Sequence, residues 1–147
     1  RKELQSQGCM FSSETDTEVL AQGLFCYGLE FLSRVNGIFA LSWYDTVKRK
    51  LTLAVDRFGV KPLHYQVQSN TIYFASEIKQ LVVANNPAPN FNALVNFLLF
   101  NAENYSAQTA FEKVFALIGG AAHFDRFGSL GFTQSAEKGR ADLHGFG

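Results

Sequence analysis

The chain has 147 residues, 47 % of them hydrophobic, and is therefore long enough to form one domain with its own core. Thirteen basic and thirteen acidic residues cancel, which excludes the strongly basic surface of a typical nucleic-acid-binding protein. The sequence shows neither a signal-peptide pattern nor an apolar run of about twenty residues, so we expect a cytoplasmic protein without a membrane segment.

Cys9 and Cys26 are the two cysteines, and they lack the Cys-x-x-Cys spacing typical of zinc or redox sites. Disulfide frameworks are typical of small secreted domains that are dense in cysteine. The sequence therefore predicts two isolated, reduced thiols and no metal site.

The first well-patterned helix is predicted to begin after Thr15. Thr15 and Glu18 stand three residues apart, which is the spacing of a capping box. Apolar residues then recur at helical spacing as far as Val35. Gly28 is expected to interrupt this run as a left-handed cap, so residues 17–35 are predicted to form a helix followed by a short helix.

A strand is predicted next. Residues 38–44 form an apolar run rich in aromatic side chains, which is typical of a strand buried on both faces. The charged residues 45–50 that follow are expected to form a hairpin turn in water.

The most informative stretch runs from Leu51 to Leu81. Alternating apolar residues predict strands over residues 51–55, 63–67 and 71–75. The polar turn at residues 68–70 connects the last two. From the residues alone, this stretch is expected to be a three-stranded meander that leads into a helix.

The turn between the first two of these strands carries three charges, on Asp56, Arg57 and Lys61. Gly59 permits backbone angles that other residues resist, and Pro62 restricts the entry into the next strand. We expect the three charges to pair with one another and to fix the strand crossing, which is a structural role.

Ser76 is predicted to cap a helix that begins at Glu77, whose carboxylate suits the positive end of the helix dipole. Residues 85–89 contain two prolines and two asparagines and should end this helix. Asn90 is predicted to cap a further helix over residues 92–100.

Several separated segments, in the same order, resemble the glutamine amidotransferase domain of asparagine synthetases, which is a class II or Ntn-type domain. The resemblance is carried by residues 56–65, residues 74–81, residues 15–20, residues 31–40 and, more weakly, residues 109–117. It implies an α+β fold, namely a partial Ntn-hydrolase-type αββα sandwich with mainly antiparallel sheet and flanking helices. The domain is expected to span residues 1–117, and residues 118–147 are expected to be a degenerate, poorly ordered linker or tail.

In this family the catalytic nucleophile is a cysteine that opens the mature chain, and its own α-amine acts as the base. Arg1 has neither a thiol nor a hydroxyl group, so the chain is expected to be incomplete at its N-terminus and inactive alone. The family's oxyanion segment, Asn-Gly-Glu, has no counterpart, because Asn36-Gly37 matches a structural turn instead. No catalytic residue is therefore assigned.

One substrate contact is implied by the resemblance. Asp16 matches the aspartate that pairs with the α-amine of glutamine, and a carboxylate suits an ammonium group. The alternative is an ordinary first-turn aspartate that is favoured by the helix dipole. His64 replaces a tyrosine common in the family and is expected to be a satisfied histidine and not a base.

The resemblance implies part of the glutaminase domain of an asparagine synthetase-like enzyme, a ligase. Glutamine hydrolysis would supply ammonia for the ATP-dependent amidation of aspartate. ATP and magnesium are expected only in a separate synthetase domain, so no cofactor is expected in this chain. The partners are glutamine, the synthetase domain and, through an unpaired sheet edge, a second copy of the chain.

Two alternatives stay open. The first is another class II amidotransferase-like domain, either β-lactam-synthetase-like or sugar-aminating. The second is a non-catalytic binding module on the same fold.

Overall fold

The computed structural model describes residues 1–100, 107–124 and 130–132, which divide into two compact units, Arg1–Gly37 and Ile38–Gly147. The helices are α1 (Lys2–Ser6), α2 (Asp16–Tyr27), a 3₁₀ helix (Gly28–Arg34), α3 (Ile78–Asn85) and α4 (Phe91–Phe100). The strands are β1 (Ala40–Asp45), β2 (Lys50–Val55), β3 (His64–Gln68), β4 (Thr71–Ala75), β5 (Val114–Ala116), β6 (Gly120–Phe124) and β7 (Leu130–Phe132). Within the described ranges, no helix has both the length and the apolar character needed to cross a bilayer.

The first unit is helical, and the predicted helix followed by a short helix over residues 17–35 is confirmed, whereas α1 was not predicted. The Thr15 hydroxyl caps α2 by accepting a hydrogen bond from the N–H of Glu18 at 3.4 Å. Gly28 ends α2 at a φ of 66° and a ψ of −157°, so the break is as predicted but the residue is not left-handed helical. The side chain of Phe31 lies where a Cβ atom on Gly23 would stand, and a glycine in α2 thus lets the 3₁₀ helix pack closely.

The second unit contains two antiparallel sheets, with strand orders β1-β2-β6-β7 and β4-β3-β5. This arrangement agrees with the predicted α+β class and the mainly antiparallel sheet. The predicted meander is wrong, because β2 belongs to the first sheet and β3 and β4 belong to the second. Alternating polarity shows that a segment is a half-buried strand, but it does not show which strand is its neighbour.

One hydrophobic cluster draws on both sheets. Leu53 and Val55 of β2 pack with Leu63, Tyr65 and Leu117, and all five side chains are buried. Because β2 and β3 lie in different sheets, this cluster is where the two sheets meet face to face. The chain between β2 and β3 must therefore cross from one sheet to the other.

The strand that is buried on both faces is β2, and not the preceding one. Thr52 to Val55 are all buried, and β6 completes the pairing of β2 on the side away from β1. In β1, Ser42 and Tyr44 are exposed, and Ile38 just before it is 68 % exposed. Among the described strands β1 is an edge of its sheet, and the predicted homodimer stays a prediction.

The start of α3 differs from the prediction. Its N-cap is Glu77, not Ser76, and Glu77 makes no side-chain capping bond. The Glu77 carboxylate instead lies 2.6 Å from the ammonium group of Lys79. The prediction for α4 is confirmed at its cap, because the side-chain oxygen of Asn90 accepts the N–H of Ala93 at 3.2 Å.

Beyond Leu117, Gly120–Phe124 forms β6, which pairs in antiparallel register with β2. These residues lie in the segment expected to be a linker or tail. Residues 133–147 lie outside the described part of the chain, and the position of the domain boundary stays a prediction.

Candidate functional site

The crossing between the sheets is organised by the carboxylate of Asp56. One oxygen, Oδ1, accepts the N–H groups of Phe58 and Val60, and Oδ2 accepts that of Lys61, each at 3.1 Å. The Asp56 N–H donates to the carbonyl of Phe39 at 2.9 Å. With 3 % of its surface exposed, Asp56 is a buried charge satisfied almost entirely by backbone.

This environment decides the ionisation of Asp56. Burial by itself raises the pKa of a carboxyl group, because it disfavours the charged form. Here the hydrogen bonds from the Lys61, Val60 and Phe58 N–H groups more than offset burial, and the pKa of Asp56 lies below its ordinary value. Asp56 is therefore held as a carboxylate at neutral pH.

The expected pairing among Asp56, Arg57 and Lys61 is not seen. The side chains of Arg57 and Lys61 are exposed, and neither forms an ion pair with a described residue. The reason is geometric, because backbone N–H groups of the turn bind both oxygens of the Asp56 carboxylate, and the two cationic side chains remain exposed to solvent. An aspartate three residues before a glycine is a known turn pattern, and this signal could have predicted the backbone contacts.

The remaining turn residues support the same geometry. Gly59 has a φ of 63° and donates its N–H to the Asp56 carbonyl at 2.9 Å. Gly119 lies against this turn so closely that a Cβ atom there would stand 2.6 Å from the carbonyl oxygen of Arg57. Pro62 is exposed just before β3.

His64, at the start of β3, is half-buried. Burial lowers its pKa, and the backbone of Ser76 and Ala75 opposes this shift only in part. Its Nδ1 atom is buried without a hydrogen-bond partner among the described residues, whereas the backbone of Ser76 and Ala75 interacts with the ring, so the expectation of a satisfied histidine stays a prediction.

A second cluster of polar groups precedes α2 in the first unit. The Glu18 carboxylate accepts the N–H and the hydroxyl of both Ser12 and Ser13, at 2.7 to 2.9 Å. These bonds, led by the N–H of Ser12, lower the pKa of Glu18 to about 2. Glu18 thus ties the segment before the helix to its first turn, a link that reaches further back than the predicted capping box.

Asp16 is the first residue of α2 and is exposed. Its carboxylate accepts no side-chain or loop hydrogen bond from the described residues, in contrast to Glu18 two positions later. The helix N-terminus favours a negative charge at this position. The structure therefore leaves this carboxylate available to a cation in solution.

The two cysteines are not isolated as predicted, because their Sγ atoms lie 3.0 Å apart in the first unit. Both are free thiols. Sequence spacing could not reveal this, since the residues lie 17 positions apart, Cys9 after α1 and Cys26 in α2. No cluster of three His, Cys, Asp or Glu side chains in the described part of the chain could hold a metal ion.

A comparison with sequence models of protein families assigns the chain to one of them. The sequence model of the family described as glutamine amidotransferase domain matches residues 1–133. The chain belongs to this family. Its match extends past Leu117 and includes both sheets of the second unit.

Similarity to individual proteins indicates which type of amidotransferase domain this is. It is 41 % identical over 86 residues to glutamine-hydrolysing asparagine synthetase 1 of Bacillus subtilis, covering 58 % of this chain and 14 % of that protein. It is 40 % identical over 83 residues to a putative glutamine-hydrolysing asparagine synthetase of Mycobacterium tuberculosis, covering 56 % of this chain and 13 % of that protein. The amidotransferase domain is of the asparagine synthetase type, and the match spans a small part of these relatives' length.

A further relative is named as an amidase and not as an asparagine synthetase. The amidotransferase domain is 36 % identical over 72 residues to the amidase chry2 of Gibberella zeae, covering 49 % of this chain and 11 % of that protein.

Proposed function

We propose that the chain is part of the glutaminase domain of an asparagine synthetase-like enzyme. Hydrolysis of glutamine in this domain supplies ammonia for the ATP-dependent amidation of aspartate in a synthetase domain, where ATP and magnesium bind. The family match over residues 1–133, together with the identity to asparagine synthetases, carries the proposal. The two antiparallel sheets that share one core support the finer proposal of an αββα Ntn-type sandwich.

No residue of this chain is proposed as the catalytic nucleophile. In the mechanism expected here, one residue supplies both the attacking thiol and the α-amine that removes its proton. Cys9 and Cys26 are internal residues whose backbone nitrogens are amides, so neither can supply that base. A polypeptide of these 147 residues is expected to release no glutamate from glutamine above background. Release that is lost when one of these residues is mutated would overturn this assignment.

Asp16 is proposed to hold the α-ammonium group of glutamine. Its carboxylate is exposed and accepts no side-chain or loop hydrogen bond from the described residues, so it can bind a cation without losing an existing partner. Charge-assisted hydrogen bonds of this kind are among the stronger ones in proteins. The bonds from Ser12 and Ser13 to Glu18 hold the surrounding segment in place.

The test compares L-glutamine with glutaramate, which is glutamine without its α-amine. If Asp16 binds that amine, the unmodified chain should prefer glutamine by roughly ten-fold, as expected for a hydrogen bond to a charged group. The Asp16→Asn variant should lose this preference in a calorimetric or NMR titration. Glu14→Gln, which removes an exposed charge two residues away, should retain it. Equal preference in the Asp16→Asn variant and the unmodified chain would rule out the contact.

A second candidate is an amidotransferase domain that serves another acceptor. The similarity to the Gibberella zeae amidase supports it, because that protein carries a different name from the synthetases. The complete gene should restore growth of an asparagine-requiring strain if aspartate is the acceptor. Failure to restore growth by an expressed, folded protein would favour the second candidate.

A further inference from the structure

The two thiols of the first unit are held in contact by the elements around them. Cys9 follows α1, and Cys26 lies in the last turn of α2, with their sulfurs 3.0 Å apart. A disulfide has its sulfurs about 2.05 Å apart. A movement of roughly 1 Å would therefore bring the two sulfurs to bonding distance.

Hydrogen bonds on both sides of Cys9 keep this geometry. Before it, the side chain of Gln7 accepts the hydroxyl of Tyr27. After it, the carbonyl of Met10 accepts the side-chain amide of Gln22 at 3.2 Å. Both partners lie on α2, the helix that carries Cys26. These two hydrogen bonds thus join the segment around Cys9 to the helix that carries Cys26.

We propose that Cys9 and Cys26 are a reversible redox pair that a disulfide oxidant such as oxidised glutathione converts into an intramolecular disulfide. The thiolate of Cys26 attacks one sulfur of the oxidant, the oxidant's S–S bond breaks, and one glutathione thiolate leaves. The thiolate of Cys9 then attacks Sγ of Cys26 and displaces the second glutathione. The protein loses two protons and two electrons, and these reduce one oxidised glutathione to two reduced molecules.

The order of attack follows from the surroundings of the two sulfurs. Cys26 is exposed and Cys9 is half-buried, so the oxidant reaches Cys26 first. The hydrogen bond with Cys26, followed by burial, also raises the pKa of Cys9. Cys9 then acts as the resolving thiol. This modification is independent of glutamine binding, and its test does not use that activity.

The test exposes the folded chain to mixtures of oxidised and reduced glutathione and measures intact mass. The unmodified chain should lose two hydrogens without gaining glutathione, and a peptide map should join the Cys9 and Cys26 peptides. The Cys9→Ser variant should retain a glutathione adduct on Cys26, because it lacks the resolving thiol. Added reduced glutathione should restore both thiols.

Stability gives a second measurement. Closing the loop between residues 9 and 26 should raise the midpoint of unfolding of the first unit by several degrees, and a thiol reductant should reverse this. A stable mixed disulfide on the unmodified chain, a disulfide only between two chains, or a disulfide that forms only in denaturant would each overturn the proposal. Cys9→Ala and Cys26→Ala should fold as the unmodified chain does and show no such shift.

Discussion

The carboxylate of Asp56 accepts a hydrogen bond from the N–H of Lys61, five residues later, at 3.1 Å. This bond spans the turn in which the chain leaves β2 in one sheet and enters β3 in the other. On each side of the turn, Leu53 and Tyr65 belong to the same buried cluster. The turn over residues 56–62, which lies in a segment that carries the family resemblance, is therefore also where the chain passes from one sheet to the other.

We expect Asp56→Asn to destabilise the second unit. An asparagine can keep one oxygen toward Phe58 and Val60, but its amide group would face the N–H of Lys61, so two donors would meet in a buried place. The midpoint of thermal unfolding should fall by roughly 5–15 °C.

Asp45→Asn is the matched control for this change. Asp45 also accepts two backbone N–H groups, from Val47 and Lys48, but in an exposed hairpin where water can replace them. Its variant should shift the midpoint by no more than about 2 °C. The midpoints can be measured by calorimetry or by the fluorescence of Trp43. Equal shifts in the two variants would contradict the conclusion that the buried Asp56 carboxylate stabilises the turn.

Gly119→Ala should also destabilise the second unit. A Cβ atom there would stand 2.6 Å from the carbonyl oxygen of Arg57, and backbone cannot yield as a flexible side chain can. Gly37→Ala is the control, because nothing lies within 4 Å of its added Cβ. We expect a loss of about 1–3 kcal/mol in the free energy of unfolding for Gly119→Ala and no loss above about 0.5 kcal/mol for Gly37→Ala. Urea denaturation of both variants measures the difference.

The core between the sheets is tested by Leu53→Ala. Leu53 is fully buried, with 0 % exposed, so its truncation leaves a cavity and should cost about 2–5 kcal/mol. Leu98→Ala makes the same chemical change at a residue that is 79 % exposed, and should cost less than about 0.5 kcal/mol. Comparable losses in chemical denaturation would mean that the two sheets do not share the core described above.

The pH response of the first unit should follow Glu18. Its folded pKa of about 2 lies below the ordinary value of 4.5, so the charged form is the stabilising one. This contribution is fully present above pH 4.5 and is lost as the pH falls through about 2. The amide resonances of Ser12 and Ser13 should therefore titrate with a midpoint near 2 in NMR spectra.

Two variants check the assignment of this titration. Glu18→Gln should abolish it, because the neutral amide does not ionise, whereas Glu14→Gln should leave it unchanged. A midpoint close to 4.5 in the unmodified chain would show that the bonds from Ser12 and Ser13 do not hold the carboxylate in solution.

Local features were predictable because they depend on neighbours in the chain. Thr15 caps α2 and Asn90 caps α4, since a cap is made by a side chain and an N–H group three residues away. The alternation of polar and apolar residues predicted β2, β3 and β4 for the same reason, because successive residues of one strand lie on opposite faces of the sheet. The family, too, was evident from short segments in a fixed order.

Which partner each group finds is decided by tertiary structure. The pairing of β2 with β6, the backbone partners of Asp56 in place of Arg57 and Lys61, and the contact between Cys9 and Cys26 all depend on how distant segments pack. A pattern along the chain encodes which residues avoid water, but many arrangements satisfy that requirement. Shape, close packing and the need to satisfy every buried polar group select one of them.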